Sequence, residues 1–404
     1  MVISLKFKNL LTVAILTGVF SFNSFAAENI PHAPEVKNLP AKGEFHVIES
    51  AISELKKGFI DSMPEDKKDG IPVGELGADG GNKDMILKLA QEMTEGKHDL
   101  YDSMLISYKG KLVFESYYSR GRINLPHFQR SATKSYTAMA IGRAMQLGYL
   151  TMADLNKPVV SFLKGLNPEK FVDGAENITL EQVLSMRSGL RLSGNKIREI
   201  ANTPGLNQVQ APLEQSIAIT PVSHTFAYQG IDANIAMHVL DAVVPGSAKD
   251  FIKNEVLGKM GITVYGWPVD VNGLPYGYGG DGSNQRSRDM LKWGMLIMNK
   301  GKLNGKQLIP AAFIAKATSR AAEPNVNWVP DDAEVSGLSY GYFMWRADMK
   351  VGDKLYDNKF IWGGGGQYVM TIEELDLVIV FTAHGRDDIT LALVPKRVLP
   401  AFIK

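Results

Sequence analysis

The chain has 404 residues, 45% of them hydrophobic and 22% charged, with 44 lysines and arginines against 43 aspartates and glutamates. This is an ordinary globular composition, long enough for one large domain or two closely packed ones. A near-neutral chain without a basic run gives no reason to expect nucleic acid or an anionic membrane surface as partner, and the lack of cysteine removes disulfides and thiolate metal ligands.

At the N-terminus, Lys6 and Lys8, an apolar run from Leu10 to Phe20 and small residues at Ser24 and Ala26 have the anatomy of a secretory signal peptide over 1–26, cleaved after Ala26. The run is short for a permanent membrane anchor, so a periplasmic or secreted protein is expected. Losing Lys6 and Lys8 changes the formal charge from +1 to −1. Residues 27–43, polar and broken by Pro31, Pro34 and Pro40, are expected to form a flexible arm, and 44–404 the folded domain.

Met85, Ile86, Leu89 and Met93 predict a helix from Lys83 to about Thr94. Met104–Tyr108 and Lys111–Tyr118, separated by Lys109-Gly110, read as a hairpin. Next comes Ser131-Ala132-Thr133-Lys134, opening a buried helix whose apolar or small positions are Ala138, Met139, Ile141, Ala144, Met145 and Leu147, with Gly148 as its stop. Thr179-Leu180-Glu181-Gln182 has capping-box spacing for a short helix, and Asn234–Val243 and Arg288–Met298 are further helices. Near the end, Trp362 and four glycines, Gly363 to Gly366, lead into a closing hairpin of Tyr368–Ile372 and Leu377–Thr382. Strand signals at both ends with helices between them predict an antiparallel sheet from about 45–120 and 335–404, and a helical lobe over about 135–330.

Residues three apart share a helix face, so the Ser131 hydroxyl and the Lys134 amine can meet one turn apart, at the helix end where unpaired N–H groups favour developing negative charge. A serine alcohol is a weak nucleophile until a base takes its proton. Lys134 can be that base only if burial lowers its pKa from about 10.4 by about 3 units, at a cost of roughly 4 kcal/mol. The plainer reading makes Ser131 an N-cap and Lys134 a solvated first-turn residue. Downstream partners decide between them. Tyr228, in Phe226-Ala227-Tyr228-Gln229-Gly230, and the glycine run, which lets backbone or ligand approach a strand end closely, are the ones available.

In that order, Ser131-x-x-Lys134, Tyr228 and the glycine-rich strand entry resemble the serine β-lactamase and penicillin-binding superfamily, in its class C-like branch with esterases and 6-aminohexanoate-dimer-hydrolase relatives. Ile178 to Leu190, Asn304 to Pro310 and Tyr340-Gly341-Tyr342 match the same pattern, so the resemblance covers about Asp102 to Pro400. It implies a β-lactamase/DD-peptidase-like fold, α/β plus an all-α lobe, with a central antiparallel sheet flanked by helices and a helical insertion. It also implies that Ser131 is acylated, that Lys134 is its proton partner and that Tyr228 passes the proton to the leaving group. The oxyanion hole would be the N–H groups of Ser131 and Gly364, with four consecutive glycines leaving that register open by one position. Trp362, Gly363 and Gly365 would line the substrate, and no metal or cofactor is called for.

Two departures shape the expected substrate. Gly230 stands where the second motif, Tyr-x-Asn, carries its asparagine. No cation opens the third motif, where Phe360, Ile361 and Trp362 precede the glycines; Lys359 or Arg386 are the nearby cations that could take its place. The expectation is therefore hydrolysis of a small-molecule ester or amide with a neutral acyl group. The alternatives are a β-lactamase or D-amino-acid peptidase, or a catalytically inactive binding protein of the same fold.

Other signals are weak. Gly277 to Gly282 matches G-x-G-x-x-G, but no apolar strand precedes it, which predicts a surface loop. A G-x-S-x-G elbow is absent and the seven histidines are scattered, with His384 expected at the surface. Trp293 reads as core, and Gly194 to Gln215 as loops.

Overall fold

A computed structural model of the chain describes residues 32–40, 45–201, 203–278, 282–385 and 388–403. The signal-peptide reading lies outside the described residues. So does part of the arm, but residues 33–36 lie against the fold: Asn124 exchanges two hydrogen bonds with the Val36 backbone, at 2.8 and 2.9 Å, and Ala33 packs beside Phe59, Tyr117 and Ile123.

In chain order the elements are α1 (Phe45–Ala51), β1 (Phe59–Asp61), α2 (Lys83–Thr94), β2 (Tyr101–Tyr108), β3 (Lys111–Tyr117), β4 (His127–Phe128), α3 (Ala132–Gln146), α4 (Leu180–Leu184), α5 (Gly194–Ala201), α6 (Asn207–Gln215), α7 (Gly230–Val243) and α8 (Ala248–Phe251). They continue with β5 (Asn284–Gln285), α9 (Ser287–Met298), β6 (Lys302–Leu303), β7 (Lys306–Gln307), α10 (Ala311–Ala317), β8 (Val335–Tyr340), β9 (Trp345–Val351), β10 (Lys354–Gly363), β11 (Gln367–Ile372), β12 (Leu377–Ala383) and α11 (Thr390–Leu393). Local signals explain the starts. The Asn82 side chain accepts from Met85 N to cap α2, and Thr179 and Gln182 form a reciprocal capping box on α4.

One antiparallel sheet runs β1-β3-β2-β12-β11-β10-β9-β8, so the C-terminal strand β12 sits in its middle against β2, with Ile106 opposite Ile379. Helices cover both faces. On one, the Ser287 hydroxyl at the start of α9 meets Ser103, which also bonds Thr382, each at 2.7 Å. On the other, Tyr101 packs on Phe381 and bonds Thr390 at the start of α11, while Phe402 packs on Tyr108. That double cover is why β11 and β12 are buried throughout and read as continuous apolar runs. The helical lobe is inserted between β3 and β8, and α3 is its axis, buried from Ala132 to Met145 and stacked through Tyr136 on Trp293 of α9. Residues 194–215 are two helices rather than loops, with Pro212 inside α6.

Candidate active site

Ser131 stands at a sharp junction between a short strand and the buried helix. β4 pairs with β5, the next residue, Gln129, donates its N–H to Ser283 O at 2.8 Å, and the Ala132 N–H returns to Gln129 O at 3.0 Å to start α3. The reversal needs a left-handed residue, and Arg130 supplies it at φ 47°. For a residue with a Cβ that conformation costs about 1 kcal/mol. The Gln129 side chain fixes the turn from below, accepting from Tyr136 OH and donating to His127 O.

The Ser131 side chain does not cap its helix. Its hydroxyl instead lies 3.2 Å from Lys134 Nζ and engages the Tyr228 hydroxyl. Lys134 is only 4% exposed, and burial lowers its pKa to about 7, with no carboxylate among the described residues to hold the charged form. Its amine lies over the Tyr228 ring, 4.7 Å from the centroid, and burial pushes the Tyr228 phenol up to about 12 against the pull of Ser131. Near neutral pH Lys134 can therefore serve as a neutral base, while Tyr228 keeps its proton.

The four glycines form the hairpin between β10 and β11 and lie against the turn that carries Ser131. Gly363 pairs with Gln367 and is so close to the preceding segment that a Cβ on it would fall 2.2 Å from Gln129 O, a backbone atom that cannot swing aside. Gly363→Ala is therefore expected to push the hairpin off the β4–α3 junction, lowering kcat/KM on an ester about 100-fold and stability by about 2 kcal/mol. Steady-state kinetics with urea unfolding checks it; wild-type values for both would mean the contact does not position the site.

Trp362, the last residue of β10 before these glycines, donates its indole N–H to Asp388 at 3.0 Å, and the same carboxylate oxygen takes Tyr368 OH at 2.8 Å. The anchored ring joins an aromatic wall with Trp345, Trp328 and Tyr228, of which Trp328 is 45% exposed and presents a face to solvent. Lys359 turns away and pairs with Glu373, while Arg386 lies outside the described residues. The room left by Gly230 is filled by the Tyr278 ring, whose Cδ2 is 3.2 Å from where a Cβ would stand. Asp232, fully buried one helical turn beyond Tyr228, is pushed up to about 7 by burial and accepts weakly from Gln229 at 3.4 Å.

Histidines that look scattered in sequence meet behind the site. Glu49 of α1 accepts from Phe128 N and contacts His127 Nδ1, both at 3.0 Å, clamping the strand that leads to Ser131. His384 is not at the surface: its Nδ1 lies 2.9 Å from Asp102 at the start of β2. Burial pushes Asp102 up despite His384, whereas for Glu49 burial is outweighed by His127, which holds it below the usual carboxylate range. The donor atoms of Glu49, Asp102 and His127 lie within 4.8 Å of one another, but both carboxylates are occupied by these hydrogen bonds. Separations this long in the chain gave no local signal for the network.

The family model named Beta-lactamase matches residues 92–397, which include Ser131, Lys134, Tyr228 and the glycine hairpin. The chain belongs to that family. An uncharacterised protein of Alkalihalophilus pseudofirmus is 23% identical over 251 residues, 56% of this chain and 66% of that protein, just under two-thirds of its length. Among solved structures, a protein assigned as a β-lactamase from Bacteroides dorei is 18% identical, with a TM-score of 0.63 over 79% of this chain and 98% of that one. One assigned as a 6-aminohexanoate-dimer hydrolase from Bacillus anthracis is 16% identical, with a TM-score of 0.61 over 91% and 97%. A class C β-lactamase scores 0.57 at 16% identity over 80% and 96%. At these identities the likeness speaks for the fold of this Beta-lactamase family member: a central antiparallel sheet with helices around it. With the family match it makes the chain a hydrolase of the serine β-lactamase superfamily.

Proposed function

We propose that this family member cleaves a carboxylic ester or amide of a small molecule through an acyl-enzyme on Ser131, in the periplasm or outside the cell. The observation that carries the reading is a buried Lys134, without a carboxylate partner among the described residues, 3.2 Å from the serine oxygen. Burying an amine that way is unfavourable for folding and is useful where a base is needed at neutral pH. Neutral Lys134 takes the hydroxyl proton as Ser131 Oγ attacks the carbonyl carbon. The N–H groups of Ser131 and Gly364 receive the oxyanion at the positive end of α3. Tyr228, touching both groups, passes the proton to the departing oxygen or nitrogen, and a water molecule then releases the acid by the reverse path.

The test is intact mass of the purified protein after exposure to a fluorophosphonate and, separately, to benzylpenicillin, with the adduct mapped by peptide sequencing. One phosphonyl group on Ser131 is the expected result. Adducts with both reagents would turn the reading toward a β-lactamase or D-amino-acid peptidase. No adduct with either would overturn it in favour of a binding protein.

A further inference from the structure

We propose that Arg130 is an anion clamp beside the nucleophile, holding a carboxylate carried by the substrate; the inference rests on Ser131 being the reacting serine and adds the class of molecule it serves. The third motif lacks the cation expected there, and Lys359 is spent on Glu373. The structure supplies a cation from another direction. Arg130 directly precedes Ser131, is exposed, and runs along the glycine hairpin, so that a Cβ on Gly364 would lie 3.9 Å from its Cδ and one on Gly365 3.6 Å from its Nε. At those distances the side chain lies in ordinary van der Waals reach of the hairpin, so its guanidinium sits beside the strand entry.

Three further observations point the same way. The guanidinium lies over the Phe128 ring, 5.6 Å from its centroid, and among the described residues no carboxylate pairs with it. Burial lowers the Lys134 pKa to about 7, whereas Arg130, directly beside Ser131, is exposed. Finally, φ 47° is a conformation glycine adopts without strain. A glycine would serve the turn, so an arginine held there against its backbone preference marks the side chain as the useful part. An arginine reaches about one side-chain length, which places the carboxylate a few bonds from the scissile carbonyl, on either the acyl or the leaving side.

Two matched ester pairs separate those sides: 4-nitrophenyl hydrogen succinate against 4-nitrophenyl butyrate, and 4-carboxyphenyl butyrate against phenyl butyrate. In one pair the wild type is expected to favour the carboxylate at least about 10-fold in kcat/KM, carried mostly by KM and shrinking in 0.5 M salt. Arg130→Ala should bring that ratio to about one, and Arg130→Lys should keep part of it. Arg130→Gly, which suits the backbone, keeps the comparison readable if the alanine variant folds poorly. Ratios near one in the wild type, or a preference surviving in Arg130→Gly, overturn the clamp. Binding to Ser131→Ala of the unreactive amides, succinic acid mono-4-nitroanilide against butyric acid 4-nitroanilide and N-butyryl-4-aminobenzoate against butyranilide, read by tryptophan quenching, separates the two readings. An Arg130-dependent preference in binding without any turnover would leave the clamp and sink the hydrolase; turnover without a preference would do the opposite.

Discussion

Ser131→Ala is expected to lower kcat on any ester the protein turns over by about 10⁴-fold or more, while shifting unfolding free energy by less than about 1 kcal/mol. The two halves of that expectation come from one geometric fact. A serine at the head of a helix ordinarily caps it, and losing such a cap costs about 1 kcal/mol. Here the hydroxyl makes no cap bond and faces Lys134 and Tyr228. Alanine therefore removes the attacking atom but little of what holds α3. Turnover assays beside thermal unfolding decide it: a large loss of stability with activity retained would make Ser131 structural.

Lys134→Met is expected to do two opposite things, lowering kcat about 10³-fold and raising stability by about 3 kcal/mol at pH 7. The folded-state pKa is near 7 and the ordinary value is 10.5, so the unfolded chain binds the proton more tightly. The penalty for burying the amine is thus fully present below pH 7, falls as pH rises from about 7 to 10.5, and vanishes above that. Urea unfolding at pH 7 and pH 9.5 should show the gap between wild type and variant closing at the higher pH; a constant gap would mean the lysine is not buried as an isolated amine. The same pKa requires wild-type acylation to rise with pH through a midpoint near 7. Asp232 titrates in that range too, so Asp232→Asn, which should keep the midpoint, identifies the lysine as its source.

The meeting of Ser131 and Lys134 was legible because it is local. Ser131 and Lys134 are one helical turn apart, and the i,i+3 rule alone places hydroxyl and amine together. Both hairpins were legible from alternation and turn residues, and Trp293 from its helical spacing. What escaped depends on contacts across the sheet. Glu49, Asp102, His127 and His384 come from α1, β2, β4 and the end of β12; the β12–β2 pairing brings Asp102 to His384, and the packing of α1 on β4 brings Glu49 to His127. Helices α5 and α6 were hidden by Gly194, Gly205 and Pro212, which break the apolar period without preventing the fold. Arg130 escaped differently: its left-handed backbone angle and its place beside a hairpin far down the chain leave no local signal.

The position of β12 has a consequence for how the protein is made. Its partner β2 is synthesised near the start of the chain and must wait for the last few turns of synthesis before Ile379 can sit opposite Ile106. Loops closed over such separations reward the chain late, so folding should be slow for its size and pass through states with an unpaired central strand. A stop codon before Leu377 should accordingly yield an insoluble product rather than a weakened enzyme, even though Ser131, Lys134, Tyr228 and all four glycines would be present in it.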